Sequence, residues 1–151
     1  MTPAALVLVG AAGWAHPAWR GRFYPEGMPD DWMLSYYNTQ YSAVYLSAAA
    51  WQAASEADWA QWLHDTMDGF YFVLEPGDAG AFKPASERVL VASPSWAAAH
   101  VWWLDEAPNL RLLAQRITQR ATTGEPLFVL SRSGNLELME QADTLRQVMG
   151  Y

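Results

Sequence analysis

Two rhythms of apolar and polar residues alternate along this chain. Short apolar runs, each closed by Gly, Pro or a polar turn, predict strands over residues 5–10, 42–47, 70–74, 88–92 and 127–130. Between them, apolar residues recur at helical spacing. Pro29-Asp30-Asp31 opens a helix to about residue 39, with Asp30 as its N-cap. Ser55-Glu56-Ala57-Asp58 has the form of a capping box, and Trp59, Trp62, Leu63 and Thr66 then make a core-facing stripe that Gly69 stops. Ser95 starts a helix read through Trp102, Trp103 and Leu104. Residues 110–114 fit either a strand or the first turn of a helix running to Ala121, and a last helix covers 136–149.

Strands alternating with helices imply a mostly parallel sheet, because parallel neighbours need crossover connections. The first run, four apolar residues ending at Gly10, fits a strand buried on both faces. The loop after it carries Gly13, Trp14, His16, Trp19 and Arg20. Loops at the carboxyl ends of parallel strands are where α/β proteins place their sites. The alternative is that both Trp cap a core and His16 is an ordinary loop residue.

Composition narrows the classes. With 151 residues, 52% hydrophobic and 14% aromatic, the chain reads as one ordered domain over 1–151. Sixteen acidic against nine basic residues give a formal charge of −7, which speaks against nucleic-acid binding and anionic lipid. There is no Cys, hence no disulfide, no thiolate metal site and no Cys nucleophile. The start, MTPAALVLVGAAG, has no Lys or Arg before its short apolar run, unlike a signal peptide. A cytoplasmic protein with no membrane contact is the expectation.

Gly10, Gly13, Trp14, Pro17, Trp19, Arg20, Gly21, Phe23, Tyr24 and Pro25 spell G-x-x-G-W-x-x-P-x-W-R-G-x-F-Y-P. This resembles the opening motif of the YecE-like family, known as domain of unknown function 72. The resemblance implies a fold similar to (β/α)8 barrels and no settled activity. It thins further on. Where the family reads roughly V-E-I-N-S-T-F-Y, this chain has Val44 to Trp51 without the acidic and amide residues. Where the family's third strand ends in Lys, Glu75 stands here. Where the family reads V-E-F-R-H-P-S-W, Pro94-Ser95-Trp96 persist, but Leu90, Ala92 and Ser93 replace the polar residues. Between the third strand and Pro94 only 78–87 is available for what would be a helical crossover, so at least one barrel unit is missing. The expected fold is therefore an incomplete (β/α) TIM-barrel-like α/β fold, a mostly parallel sheet of five or six strands with flanking helices. Missing staves leave strand edges that a second copy can cover, so a homodimer is expected.

Catalytic signals are sparse. The chain has no G-x-S-x-G elbow, no P-loop and no G-x-G-x-x-G. His16, His64 and His100 are scattered, none at i, i+3 or i+4 from another, so neither a metal site nor a cofactor is expected. His16 and Glu75 would share the strand-end face and could act as an acid–base pair, the weak catalytic candidates. Trp14, His16, Trp19, Arg20 and Tyr45 are the candidate ligand-binding residues, with aromatic faces suited to a sugar or base. Two readings follow. One is a catalytically inactive structural or protein-interaction module that self-associates. The other is a hydrolase or small-ligand binder using the loop after strand 1, its ligand unknown.

Overall fold

The computed structural model describes residues 6–151. Ala5, assigned above to the first strand, lies outside the described residues. Six strands form one parallel sheet: β1 (Val7–Ala12), β2 (Ala43–Leu46), β3 (Tyr71–Leu74), β4 (Val89–Val91), β5 (Val101–Trp103) and β6 (Leu127–Ser131). Their order is β4-β3-β2-β1-β6-β5. The sheet curls into a half-barrel, an incomplete TIM-barrel-like α/β fold. The helices are α1 (Asp30–Gln40), α2 (Ala48–Ala53), α3 (Glu56–Asp65), α4 (Pro94–His100), α5 (Leu110–Thr123) and α6 (Leu136–Val148).

Several boundaries follow the local chemistry read from the sequence. The capping box of α3 is formed, with Ser55 Oγ accepting from Asp58 N–H and the Asp58 carboxylate accepting from Ser55 N–H. Asn109 caps α5, which settles residues 110–114 as helix, and Gly124 ends it at φ 72°. Two expectations are corrected. Pro29, not Asp30, holds the N-cap position of α1, because Asp30 already has helical backbone and turns its carboxylate to Arg20. The helix read through Leu104 is capped by Ser93 rather than Ser95 and stops at His100. Val101-Trp102-Trp103 then forms β5, pairing with Phe128, Val129 and Leu130. Two large aromatics after a β-branched residue suit a pleated surface better than a helix, and the β6 ladder satisfies their backbone groups.

Alternation within each strand separates two cores. Val7, Val9, Val44, Leu46, Phe72, Leu74, Leu127 and Val129 join residues of α1, α3, α5 and α6 in one cluster. Leu8, Ala43, Val73, Phe128 and Leu130 join the other, together with Tyr45, Tyr71, Leu90, Trp96, Ala97 and Trp103. This second cluster lies on the side that a closed barrel would enclose. Its helical contribution comes from α4, the connection between the two outermost strands. Trp96 of α4 packs on Phe128 at 5.6 Å and on His100 at 5.0 Å. The β3–β4 crossover has no helix; Arg88 at its end donates to the carbonyls of Leu63 and Met67 at the C-terminus of α3.

At the centre, Tyr37 of α1 inserts its hydroxyl into the β1–β2 ladder. It donates to the Ala43 carbonyl at 2.6 Å and accepts from Ala11 N–H at 2.8 Å. Gly10 makes room, since a Cβ there would stand 1.8 Å from the Ala43 carbonyl oxygen and 2.8 Å from the Tyr37 hydroxyl. Tyr37→Phe would strand both backbone groups in a dry interior, so it is expected to cost about 3 kcal/mol in urea unfolding. Gly10→Ala should cost at least as much, through overpacking against backbone that cannot yield.

Alkaline pH provides a separate check. Burial pushes the Tyr37 hydroxyl well above its ordinary value of 10, outweighing the opposing Ala11 N–H. Burial, then the carboxylates of Asp143 and Glu140, raises Tyr41 to about 12. These folded values lie above the unfolded one, so the stabilisation is complete below about pH 10 and is lost as pH rises through the folded values. Tyrosine ionisation followed by ultraviolet absorbance should therefore coincide with loss of the far-ultraviolet circular dichroism signal, starting above about pH 10. Ionisation of these tyrosines ahead of unfolding would contradict their burial.

Candidate functional site

The loop after β1 is built on Trp19, which a single 3-10 turn (Pro17–Trp19) delivers into the core. Its indole N–H donates to the Gly134 carbonyl at 2.8 Å, tying this loop to the one after β6. The His16 ring packs on Trp19 with centroids 4.4 Å apart. On its other side, a Cβ at Gly134 would come within 2.8 Å of the imidazole, so glycine is what lets the ring sit there. His16 Nε2 lies 2.6 Å from the Ala12 carbonyl. A carbonyl only accepts, so Nε2 carries the proton and Nδ1 is left as the basic atom. Arg20 is exposed and pairs with Asp30 at 2.6 Å.

Trp14 is half-buried and meets Trp62 of α3 edge to face at 5.0 Å. Both rings line a cavity of about 390 Å³, with Ala12, His16, Leu46 and Ala50 among its other walls. The Tyr24 hydroxyl holds this loop by donating to the Trp14 carbonyl.

Glu75 follows β3 and faces the start of α2. Its carboxylate accepts from Ala48 N–H at 2.8 Å, and its carbonyl accepts from the Trp51 indole at 2.8 Å. His16 and Glu75 thus take separate partners, and no hydrogen bond joins them among the described residues. Tyr45 sits elsewhere again, edge to face on Trp103 at 4.9 Å. Burial, then the Glu75 charge, raises its hydroxyl above the ordinary value, with Arg132 pulling the other way.

Two residues of this face were not among the candidates. Arg132, just after β6, lays its guanidinium over Trp103 at 3.8 Å and over Tyr45 at 5.9 Å. Asp105, just after β5, accepts from Arg132 N–H at 2.5 Å, from Ser133 N–H at 3.2 Å and from the hydroxyls of Ser131 and Ser133. These donors form a cradle for a negative charge, filled by the chain's own carboxylate. Burial pushes the Asp105 carboxyl up, but the hydrogen bonds from Ser133, Arg132 and Ser131 outweigh it and hold it below its ordinary value. The available signal was the polar run Ser131-Arg132-Ser133-Gly134-Asn135 ending a strand. Among the described residues, no three His, Asp or Glu are grouped to hold a metal ion. No helix among them is long and apolar enough to cross a membrane.

Residues 8–76 match the model of a family described as a protein of unknown function, DUF72. The match supports the family reading made from the opening motif. It covers just under half of the chain, from β1 to the residue after Glu75; β4 to α6 lie outside it. No curated protein and no solved structure matches the chain.

Asp105 gives this face a pH signature. Its folded value is depressed, so its contribution is complete above about pH 4 and lost as pH falls through the folded value. Asp105→Asn should lower the melting temperature near neutrality and flatten its decline below about pH 4. An unchanged acid slope would show that the cradle contributes nothing.

Proposed function

We propose that this DUF72-type chain is a catalytically inactive structural module that acts by self-association, two copies pairing through the strand edges that each leaves open. The observation that carries the reading is the sheet order: β4 and β5 end it, and no strand lies beyond either among the described residues. Edge strands present unpaired N–H and C=O groups, which are templates for association. Val91 on β4 is 41% exposed. A twofold axis along the strand direction would set β4 of one copy beside β5 of its partner, and the reverse. Every pairing then stays parallel and both edges are covered at once.

The strand ends support the absence of chemistry. The His16 ring holds the Ala12 carbonyl, and the Glu75 carboxylate holds Ala48 N–H at the start of α2. Leu90 and Ala92 occupy β4 and its end, and both belong to the α4-filled cluster. A substrate entering from the concave side would meet Trp96, Tyr45 and Trp103, which pack there. A second reading, a hydrolase or small-ligand binder using the loop after β1, is favoured by the 390 Å³ cavity beside Trp14 and His16.

Sedimentation equilibrium at micromolar concentration should give twice the chain mass. Val91→Lys, which places a charge on the β4 edge, should shift the protein to monomer while leaving its melting temperature within about 2 °C. A wild-type chain that stays monomeric up to about 1 mM, a weak-binding concentration, would end the proposal.

A further inference from the structure

The cavity beside Trp14 and Trp62 has a neighbour. The same two rings also line a second cavity of about 420 Å³, bounded by Asp30, Asp31, Asp58 and Asp65. We infer that the two form one bipartite site for a small organic cation with a flat apolar body, the body lying in the apolar cavity and the ammonium group among the aspartates. The inference rests on the second reading above, that the loop after β1 binds a small ligand, and names that ligand's class.

Three observations converge. First, the walls differ in kind. The inner cavity is lined by Trp14, Trp62, Leu46, Ala50 and Pro17, with His16 as its one ionisable wall. The outer one holds four carboxylates with Trp14, Trp62, Leu34 and Gln61. An apolar body in the first and a positive charge in the second are each matched by what surrounds them.

Second, the rings at the junction suit a cation. Trp62 lies edge to face with Trp14, and the negative face of an indole attracts an ammonium group when one comes within about 6 Å. Third, the carboxylates lack cations of their own. Arg20 reaches Asp30 at 2.6 Å, and this is the one salt bridge that any of the four makes among the described residues. Asp58 is engaged by Ser55 N–H and Asp65 by the Gln61 amide, both neutral donors. Asp31 accepts no side-chain hydrogen bond among the described residues. Three negative charges therefore face the outer cavity without a compensating positive one, and the Arg20 pair shows the kind of group that this surface takes.

The test uses the full chain with two probes of equal shape, phenylethylammonium and 2-phenylethanol. Binding is followed by the indole N–H resonances of Trp14 and Trp62. The ammonium probe is expected to shift both indoles saturably and to bind about tenfold tighter than the alcohol. The double variant D31N/D65N, which alters exposed or half-exposed side chains, should bring the two affinities within about twofold while the alcohol's is unchanged. Trp62→Leu should weaken both probes; if that variant fails to fold, the double variant still decides. Equal affinities of the two probes in the wild-type chain would overturn the charge selection while leaving a ligand pocket standing. No saturable shift with either probe up to about 10 mM would remove the pocket reading as well.

Discussion

One hydroxyl group holds the centre of this sheet. β1 is one of its two central strands, hydrogen-bonded to β2 on one side and β6 on the other. Where β1 and β2 come apart by one bond, the Tyr37 hydroxyl takes the place of the missing link, accepting from Ala11 and donating to Ala43. In a dry interior an unpaired N–H and C=O are costly, so the wedge and the glycine that admits it stand or fall together. The same side chain is stacked on Trp19 at 6.0 Å, and Trp19 reaches the loop after β6. A helix, the central ladder and two strand-end loops are thus fixed through one aromatic contact. The Tyr37 ring also meets those of Phe23, Tyr41 and Phe70.

The concave side follows a different logic. In a closed barrel, inward side chains from all staves fill the interior in layers. Here the sheet is half a ring, and the space is taken by α4 with Trp96, and by Tyr45, Tyr71 and Trp103. Large rings substitute for absent strands, because one indole covers more apolar surface than a single aliphatic side chain. Such filling is incompatible with unpaired buried charge, which is costly without a partner. The charged groups that remain on this face, Arg132, Asp105 and Glu75, sit at its rim, and the first two answer each other's loops rather than a vacant cavity.

The sequence made most central strands legible because their apolar runs meet a clear stop, Ser47, Glu75-Pro76 or Ser131; Gly10, expected to end the first strand, instead lies inside β1, which pairs on to Ala12. The α3 capping box was readable from four residues, since both of its bonds are local. β5 was not readable. No Gly or Pro separates it from α4, and its strand character comes from β6, whose Phe128, the partner of Val101, lies far along the chain. The site divides in the same way. The loop after β1 declared itself through a contiguous motif. Arg132 and Asp105 meet only because β5 and β6 pair, so spacing along the chain carries no trace of them. Glu75 was placed correctly at a strand end, but its partner, Ala48 N–H, is a backbone group that no residue pattern announces.

Five of the nine Trp divide into two groups at the strand ends. Trp19, Trp51 and Trp102 use their indole N–H groups as staples, each donating to a loop carbonyl: Gly134, Glu75 and Ala107 respectively. Each staple delivers a large buried surface and one satisfied donor to a strand end, where a barrel with working chemistry would place charged groups. Trp14 and Trp62 differ, because they remain half-buried and keep ring surface facing two cavities. Indoles thus close much of the strand-end face with buried apolar surface. The rim beside α1 and α3 differs, because there Asp30, Asp31, Asp58 and Asp65 stand beside the half-buried rings of Trp14 and Trp62.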